Sequence, residues 1–296
     1  MQAPTDARHR PIATSELAIV GLVRNGQKTL RRELDVLSRA TRGFARVHYL
    51  IIESDSSDAT PEVLGRLQAD LPGFRSISLG ALADRHPLRT DRMALCRNRY
   101  LEELSQNPLY ANVDYVLVAD LDGVNRHLTA QALATCWQSE IPWDVCTANQ
   151  RDAYYDVWAL RHAAWCPVDC WRQYQELRPL FGHEQALTMA VHSRMVRLAP
   201  TDDWIEVDSA FGGLAIYRRD ALLTSRYHGL DERGEQICEH VPLHAGLRAR
   251  GWRLFINPAL INARRTDRSA RAALPARLRR RVESWGKGLR KRWRGR

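Results

Sequence analysis

The sequence predicts an α/β domain with a mostly parallel sheet flanked by helices. Three observations carry that expectation. Short apolar, β-branched runs recur, as at 17–23, 47–52 and 113–119. They alternate with segments whose leucines repeat at helical spacing. The first 80 residues therefore read strand–helix–strand–helix–strand, and right-handed crossovers make such strands parallel neighbours. Acidic clusters close two of the runs, at the carboxyl ends where open α/β sheets bind their ligands.

Residues 1–15 are polar and read as a disordered lead. The first strand, 17–23, ends at Arg24-Asn25-Gly26, and a helix follows on Leu30, Leu34 and Leu37. The second strand, 47–52, ends in Glu53-Ser54-Asp55-Ser56-Ser57-Asp58. There Asp58 or Thr60 is placed to cap a helix with Pro61 at its first position. A shorter third strand covers 74–79. A helix over 92–104 carries Arg97, Asn98 and Arg99 into the strand at 113–119. After Asp122 come a helix at 129–137, a strand around 143–148 and an aromatic stretch at 154–161. Residues 162–204 break the alternation and read as a helical insertion that shapes a second, acceptor-side substrate site. The run 205–219 reads as a strand interrupted by Gly212-Gly213, which marks a bulge or the close approach of a ligand. A helix from near Gly234 to Gly251, its C-terminal glycine, precedes a last strand at 252–257.

The chain has 296 residues, 45% of them hydrophobic, enough for one α/β domain with insertions. No apolar run approaches the roughly 18–20 residues needed to span a bilayer, and the start lacks the apolar core of a secretory signal. The six cysteines are scattered and read as reduced cytosolic thiols; Cys166 and Cys170 lack a second Cys/His pair at zinc-finger spacing. The net charge of +10 is unevenly spread. Residues 264–296 hold 14 of the 44 Lys and Arg and two of the 34 acids, leaving 30 basic and 32 acidic groups in the body. The body is near neutral, and 264–296 is a polybasic, amphipathic tail. Its Arg and Lys are interleaved with Leu, Val and Trp, which suits anionic lipid at the inner face of a membrane. Nucleic acid is the rival partner for such a tail and is not expected here, because it leaves the strand-end carboxylates of the body unexplained.

Asp120-Leu121-Asp122 closes the strand at 113–119 and is followed by Gly123. Two carboxylates one residue apart at a strand end form a hard-oxygen site for Mg²⁺ or Mn²⁺, with substrate phosphates and water as further ligands. A helix cap is the plainer role for the same pair. No G-x-G-x-x-G and no G-x-x-x-x-G-K-[ST] occurs, so neither a dinucleotide fingerprint nor a P-loop is present.

The order of parts resembles the GT-A nucleotide-sugar glycosyltransferases. Those parts are a first strand, the acidic 53–58 segment, the D-x-D, a glycine-containing strand and an acidic helix start. The resemblance spans about residues 17–263, within a domain expected over 16–263. Glu239 matches the first acid of the family's E-D helix, and His240 stands in the place of the second. Within that superfamily, Leu95-Cys96-Arg97-Asn98-Arg99, the 154–161 segment and Cys238-Glu239-His240 are similar to the capsule-associated, cryptococcal-type mannosyltransferases and their bacterial relatives. The fold implied is GT-A, Rossmann-like with a mostly parallel sheet.

The resemblance implies roles for particular residues. Asp122 and Asp120 would hold Mn²⁺ or Mg²⁺, with His240, or else His244, completing the set in place of a family histidine where Asn262 stands. Arg24, Glu53, Asp55, Arg97, Asn98 and Asp120 would bind the sugar-nucleotide. Tyr155, Asp156 and Trp158 would bind the acceptor. Glu239, His240 and Asp208 would be catalytic. Because a histidine replaces the family's base, inversion and retention both stay open. The activity implied is metal-dependent transfer of a hexose from a GDP- or UDP-sugar, mannose from GDP-mannose among the options, to a surface-glycan or lipid-linked acceptor. Such an enzyme would be cytoplasmic and peripheral to the membrane. The alternatives are a sugar nucleotidyltransferase, for which Gly21–Gly26 is a poor phosphate loop, and a non-catalytic basic-tailed protein that binds membrane or nucleic acid.

Overall fold

The apolar runs do form a sheet, and their period-two alternation divides the core into two layers. The computed structural model describes residues 9–264. The strands are β1 (Glu16–Val23), β2 (Arg46–Glu53), β3 (Phe74–Ser78), β4 (Tyr115–Asp120), β5 (Val145–Gln150), β6 (Ile205–Glu206), β7 (Leu214–Arg218) and β8 (Leu254–Ala263). The helices are α1 (Leu30–Thr41), α2 (Thr60–Asp70), α3 (Arg89–Gln106), α4 (Ala130–Ala134), α5 (Cys170–Ala190), α6 (Arg219–Leu222) and α7 (His240–Arg248). Ala18, Val20, Val116 and Val118 face one layer, with Tyr100 and Leu104 of α3 and Leu243 of α7. Leu17, Ile19, Leu117 and Ala119 face the other, with Leu30, Leu34 and Leu37 of α1. Burying each such leucine contributes about 1.5–3 kcal/mol.

The single sheet has the order β3-β2-β1-β4-β7-β5-β8-β6. It is Rossmann-like, mixed and mostly parallel. β3, β2, β1 and β4 run parallel, as do β5 and β8, whereas β7 is antiparallel to both β4 and β5, and β6 to β8. The register decides where the site forms. Leu22 lies beside both Ile52 and Asp120, and Val23 beside Glu53. The turns after β1, β2 and β4 therefore emerge together at one edge.

Several expectations are corrected. Residues 9–15 are not a disordered lead: Ile12–Thr14 form a 3₁₀ turn, His9 stacks on Trp143, and Arg10 pairs with Asp114. The run 205–219 is not one interrupted strand. Gly212 and Gly213 both have positive φ, and this left-handed turn sends β6 and β7 to different places in the sheet. The last helix begins at His240 rather than near Gly234, because Asp231 gathers the N–H groups of Arg233 and Glu235 into a turn. The helix expected over 129–137 is only five residues long. Within the insertion, α5 is broken at Gly182 and packs over a small satellite core. All six cysteines are buried and unpaired. Among the described residues no helix is long and apolar enough to cross a membrane. The tail lies outside the described residues, apart from Arg264.

Candidate active site

Two hollows open at the edge where β1, β2 and β4 end. One, of about 440 Å³, is lined by Arg24, Gly26, Ser54 and Asp55. The other, of about 350 Å³, is lined by Tyr155, Asp156, Trp158, Phe211, Glu239 and His240. Arg89, Met93, Arg97, Asp120 and Asp122 line both, so the hollows are two lobes of one cleft with the D-x-D between them.

Arg97 organises the floor. It is buried, its Nε donates to Glu239 Oε1 at 2.8 Å, and Nη2 lies 3.5 Å from Asp120 Oδ1. Its guanidinium sits over the rings of Phe211 and Tyr227 at 5.4 and 5.5 Å. Desolvation pulls its pKa down, and Tyr100, Glu239, Tyr227 and Asp120 more than reverse this, so the cation persists. Nη1 is buried with no partner among the described residues. A buried N–H left this way is costly unless a ligand or water meets it.

Asp120 keeps 35% of its side-chain exposure at the cleft floor. The enclosing walls desolvate it and raise its pKa to about 7; Arg97 opposes the rise, while Asp122, Asp156 and Glu239 add to it. Four carboxylates thus line the cleft around the buried Arg97, with Arg89 and Arg126 in the same lining, and the mutual repulsion of the acids at Asp120 favours a cation there. Asp122 is exposed and accepts from Val124 N–H at 3.2 Å.

The nucleotide-side residues divide. Asp55, in the left-handed region with φ 57°, accepts from the N–H groups of Leu82 and Ala83 at 2.8 Å each. Burial alone would raise its pKa; those N–H groups, with Ser54 and Arg92, hold it below its ordinary value. Arg24 donates to the Asp55 carbonyl and lines the same lobe. Glu53 does not reach the cleft. It is buried and accepts from Ser56 N–H and the Ser78 hydroxyl, which is turn chemistry. Asn98 also points elsewhere, exchanging hydrogen bonds with the backbone of Tyr227 at 2.9 Å each way. Successive helix residues are about 100° apart, so Arg97 and Asn98 cannot both face the cleft.

On the other side Asp156 accepts from Gly212 N–H at 3.0 Å. Asp208 is outside the cleft, 59% exposed beside Arg248 at 3.5 Å. His240 lines the cleft at the start of α7, stacked on Phe211 at 3.9 Å; its Nε2 lies 3.9 Å from Glu239 Oε1, and neither buried ring nitrogen has a hydrogen-bond partner among the described residues. Burial, then Arg97 and His244, push its pKa well below the ordinary histidine value. A neutral imidazole of such low basicity is a poor general base. His244 is spent on Ser209 and Tyr217 inside the core, and burial lowers it to about 3. Among the described residues no three His, Cys, Asp or Glu side chains are grouped to hold a metal. Neither histidine therefore completes a three-residue metal set with the aspartates, and a divalent ion would rest on two aspartates plus ligand oxygens.

A buried amide network holds the cleft in shape, and nothing in the sequence pattern announced it. Asn125 donates to the carbonyl of Asp120, and Asn262 donates to Asn125 and to the carbonyl of Gly212. Gln150 donates to that carbonyl and to Asn262. Asn262, standing where a metal histidine was sought, is thus a strut. A Cβ on Gly212 would lie 2.5 Å from the Ala148 carbonyl, and one on Gly213 2.7 Å from Val124, so both positions require glycine.

Several solved structures are distantly similar to this chain. Staphylococcus aureus TarS 1–349 is 13% identical over 81% of this chain, with a TM-score of 0.45, and a further structure of it contains UDP-GlcNAc. This chain spans 57% of that TarS structure. Mannosyltransferase PcManGT from Pyrobaculum calidifontis, solved with GDP-Man and Mn²⁺, is 15% identical over 97% of this chain and 68% of its own, at a TM-score of 0.47. Glucosyl-3-phosphoglycerate synthase from Mycobacterium tuberculosis with UDP is 16% identical over 90% and 79%, at 0.42. No family model and no curated protein matches the chain. The roles of the cleft residues rest on the geometry above.

Proposed function

We propose that the chain is a GT-A-type glycosyltransferase that moves a hexose from a nucleoside-diphosphate sugar to a hydroxyl acceptor. The single observation that carries this reading is the two-lobed cleft divided by Asp120 and Asp122, with a buried, permanently charged Arg97 beneath them. The lobe at Arg24 and Asp55 suits the nucleoside, and the lobe at Tyr155, Asp156 and Trp158 suits the acceptor. Mannose from GDP-mannose remains the donor we favour, on the motif resemblance. The basic tail at 264–296 would hold the enzyme at an anionic membrane surface.

A divalent ion, Mn²⁺ or Mg²⁺, fits the donor set as far as it goes: the hard oxygens of two carboxylates one residue apart, and an open approach. Asp120 and Asp122 would hold it with diphosphate oxygens and water, and the ion would supply charge neutralisation to the leaving diphosphate. Arg97, which lines both lobes, would pair with a diphosphate oxygen, since guanidinium pairs with phosphate oxygens. Asp156 and the indole of Trp158 would orient the acceptor hydroxyl. In the transfer the bond from the sugar's anomeric carbon to phosphate oxygen breaks and a bond to the acceptor oxygen forms. The low basicity of His240 and the engagement of Glu239 by Arg97 favour delivery of the acceptor's proton to the departing phosphate oxygen. That route retains configuration.

The test is a thermal-shift panel of UDP, GDP, CDP and their sugar conjugates, with and without Mn²⁺. A ligand that binds only the folded state raises its melting temperature. One nucleotide stabilising the chain only with Mn²⁺ is the expected result. No shift with any nucleotide, in a folded sample, would remove the proposal.

A further inference from the structure

The cleft continues beyond its two lobes. Trp158 lines the acceptor lobe and also a third hollow of about 970 Å³, larger than the other two together. One wall of this groove is the first two turns of α5, where Trp171 is 41% exposed and braced edge-on by Tyr174 at 5.8 Å. From Trp171 to Glu176 that wall runs about 7.5 Å along the helix. The other wall is the 231–237 loop, which Asp231 builds by accepting from Arg233 and Glu235 N–H, both at 2.9 Å. At the junction, the buried indole N–H of Trp158 has no acceptor among the described residues.

The charge of the groove is informative. Its two arginines are neutralised inside its own walls, Arg161 by Asp169 at 2.6 Å and Arg172 by Asp231 at 2.8 Å. Glu176 and Glu235 add negative charge, and the remaining polar lining is amide, as in Gln175 and Gln236. Such a surface offers many hydroxyl partners and repels anions. A single sugar would leave most of this volume to water.

We infer that this groove binds a run of uncharged sugar units, so that the acceptor is an extended neutral glycan whose end reaches the D-x-D past Trp158. The inference rests on the glycosyl-transfer reading and specifies its acceptor. Trp171 stacks on a sugar ring several positions from the reacting hydroxyl, the amides and Glu235 take ring hydroxyls, and the Trp158 N–H takes an oxygen at the bend.

The experiment is calorimetric titration of the full chain, loaded with Mn²⁺ and its nucleoside diphosphate, with mannose and glucose oligomers of one to six units. Expected is an affinity that rises at least tenfold between one and four units in one series, and a weaker response to uronate oligomers of equal length. Trp171→Ala should abolish that rise, and Trp171→Phe should restore part of it; nucleotide binding serves as the folding control. Nucleotide binding without any dependence on oligomer length, or a Trp171→Ala protein that binds long oligomers like the parent, would overturn the inference. Failure of the parent to bind nucleotide would instead bring down the glycosyl-transfer reading, and the inference with it.

Discussion

Replacing Arg97 by methionine tests whether the cleft floor is organised as described. The side chain is 2% exposed and the Glu239 carboxylate 3%, with 2.8 Å between them. Methionine fills similar space but leaves Glu239 buried without its cation. Breaking such a pair costs about 3–5 kcal/mol, because the remaining charge is stranded. Loss of the contacts with Phe211 and Tyr227 adds on the order of 1 kcal/mol. For a domain of this size each kcal/mol lowers the melting temperature by roughly 2–4 °C, so a fall of roughly 8–24 °C is expected by circular dichroism. The second half of the cycle is decisive. Arg97→Met combined with Glu239→Gln should recover about 2 kcal/mol or more, since contacting residues are not additive. An Arg97→Met protein that melts within 2 °C of the parent, or a double variant showing the sum of the two single losses, would refute the reasoning.

Three further outcomes follow from the same geometry. The pKa of Asp120, about 7 against its ordinary 3.8, means the folded state holds this proton more tightly. The unliganded chain should therefore lose stability as pH rises from about 4 through about 7, and Asp120→Asn should melt above the parent at pH 8, with the gap closing toward pH 4. Equal melting at pH 8 would count against the crowded-carboxylate picture. Gly212→Ala must fit a Cβ at φ +71° against the Ala148 carbonyl, costing about 2 kcal/mol or more in a urea titration; a loss under half of that would show that the turn can relax. Asp208→Ala should keep transfer within twofold of the parent, and Asp156→Ala should lose tenfold or more, the reverse order restoring Asp208 to the site.

The strands of the first half, the strand-end position of Asp120-Leu121-Asp122 and the helix that carries Arg97 were legible because each rests on a local signal: a β-branched run, a strand-end carboxylate pair, a helix entering that strand. Asp208 misled because Gly212-Gly213 was read as a bulge within one strand. Two consecutive positive-φ residues make a turn instead, and the turn carries Asp208 away from the cleft. Asn98 misled through adjacency, since sequence neighbours on a helix face different ways. His240 looked like a base or ligand by position, whereas burial, with Arg97 and His244 nearby, lowers its basicity. The Asn125–Gln150–Asn262 network had no sequence signal at all, because amides carry no periodicity and their partners lie 112 or 137 positions away. The groove beside Trp158 depends on two segments that meet only in the folded chain.

The most direct measurement is release of nucleoside diphosphate from its sugar conjugate by the full chain with Mn²⁺, comparing the parent with Asp122→Ala. Asp122 is exposed and makes one 3.2 Å hydrogen bond, to Val124 N–H, among the described contacts, so its loss should change the unliganded melting temperature little. Release should nevertheless fall at least 100-fold, about 2.7 kcal/mol of barrier. Mn²⁺-independent release, or an Asp122→Ala protein as active as the parent, would contradict the assignment of this cleft to sugar transfer.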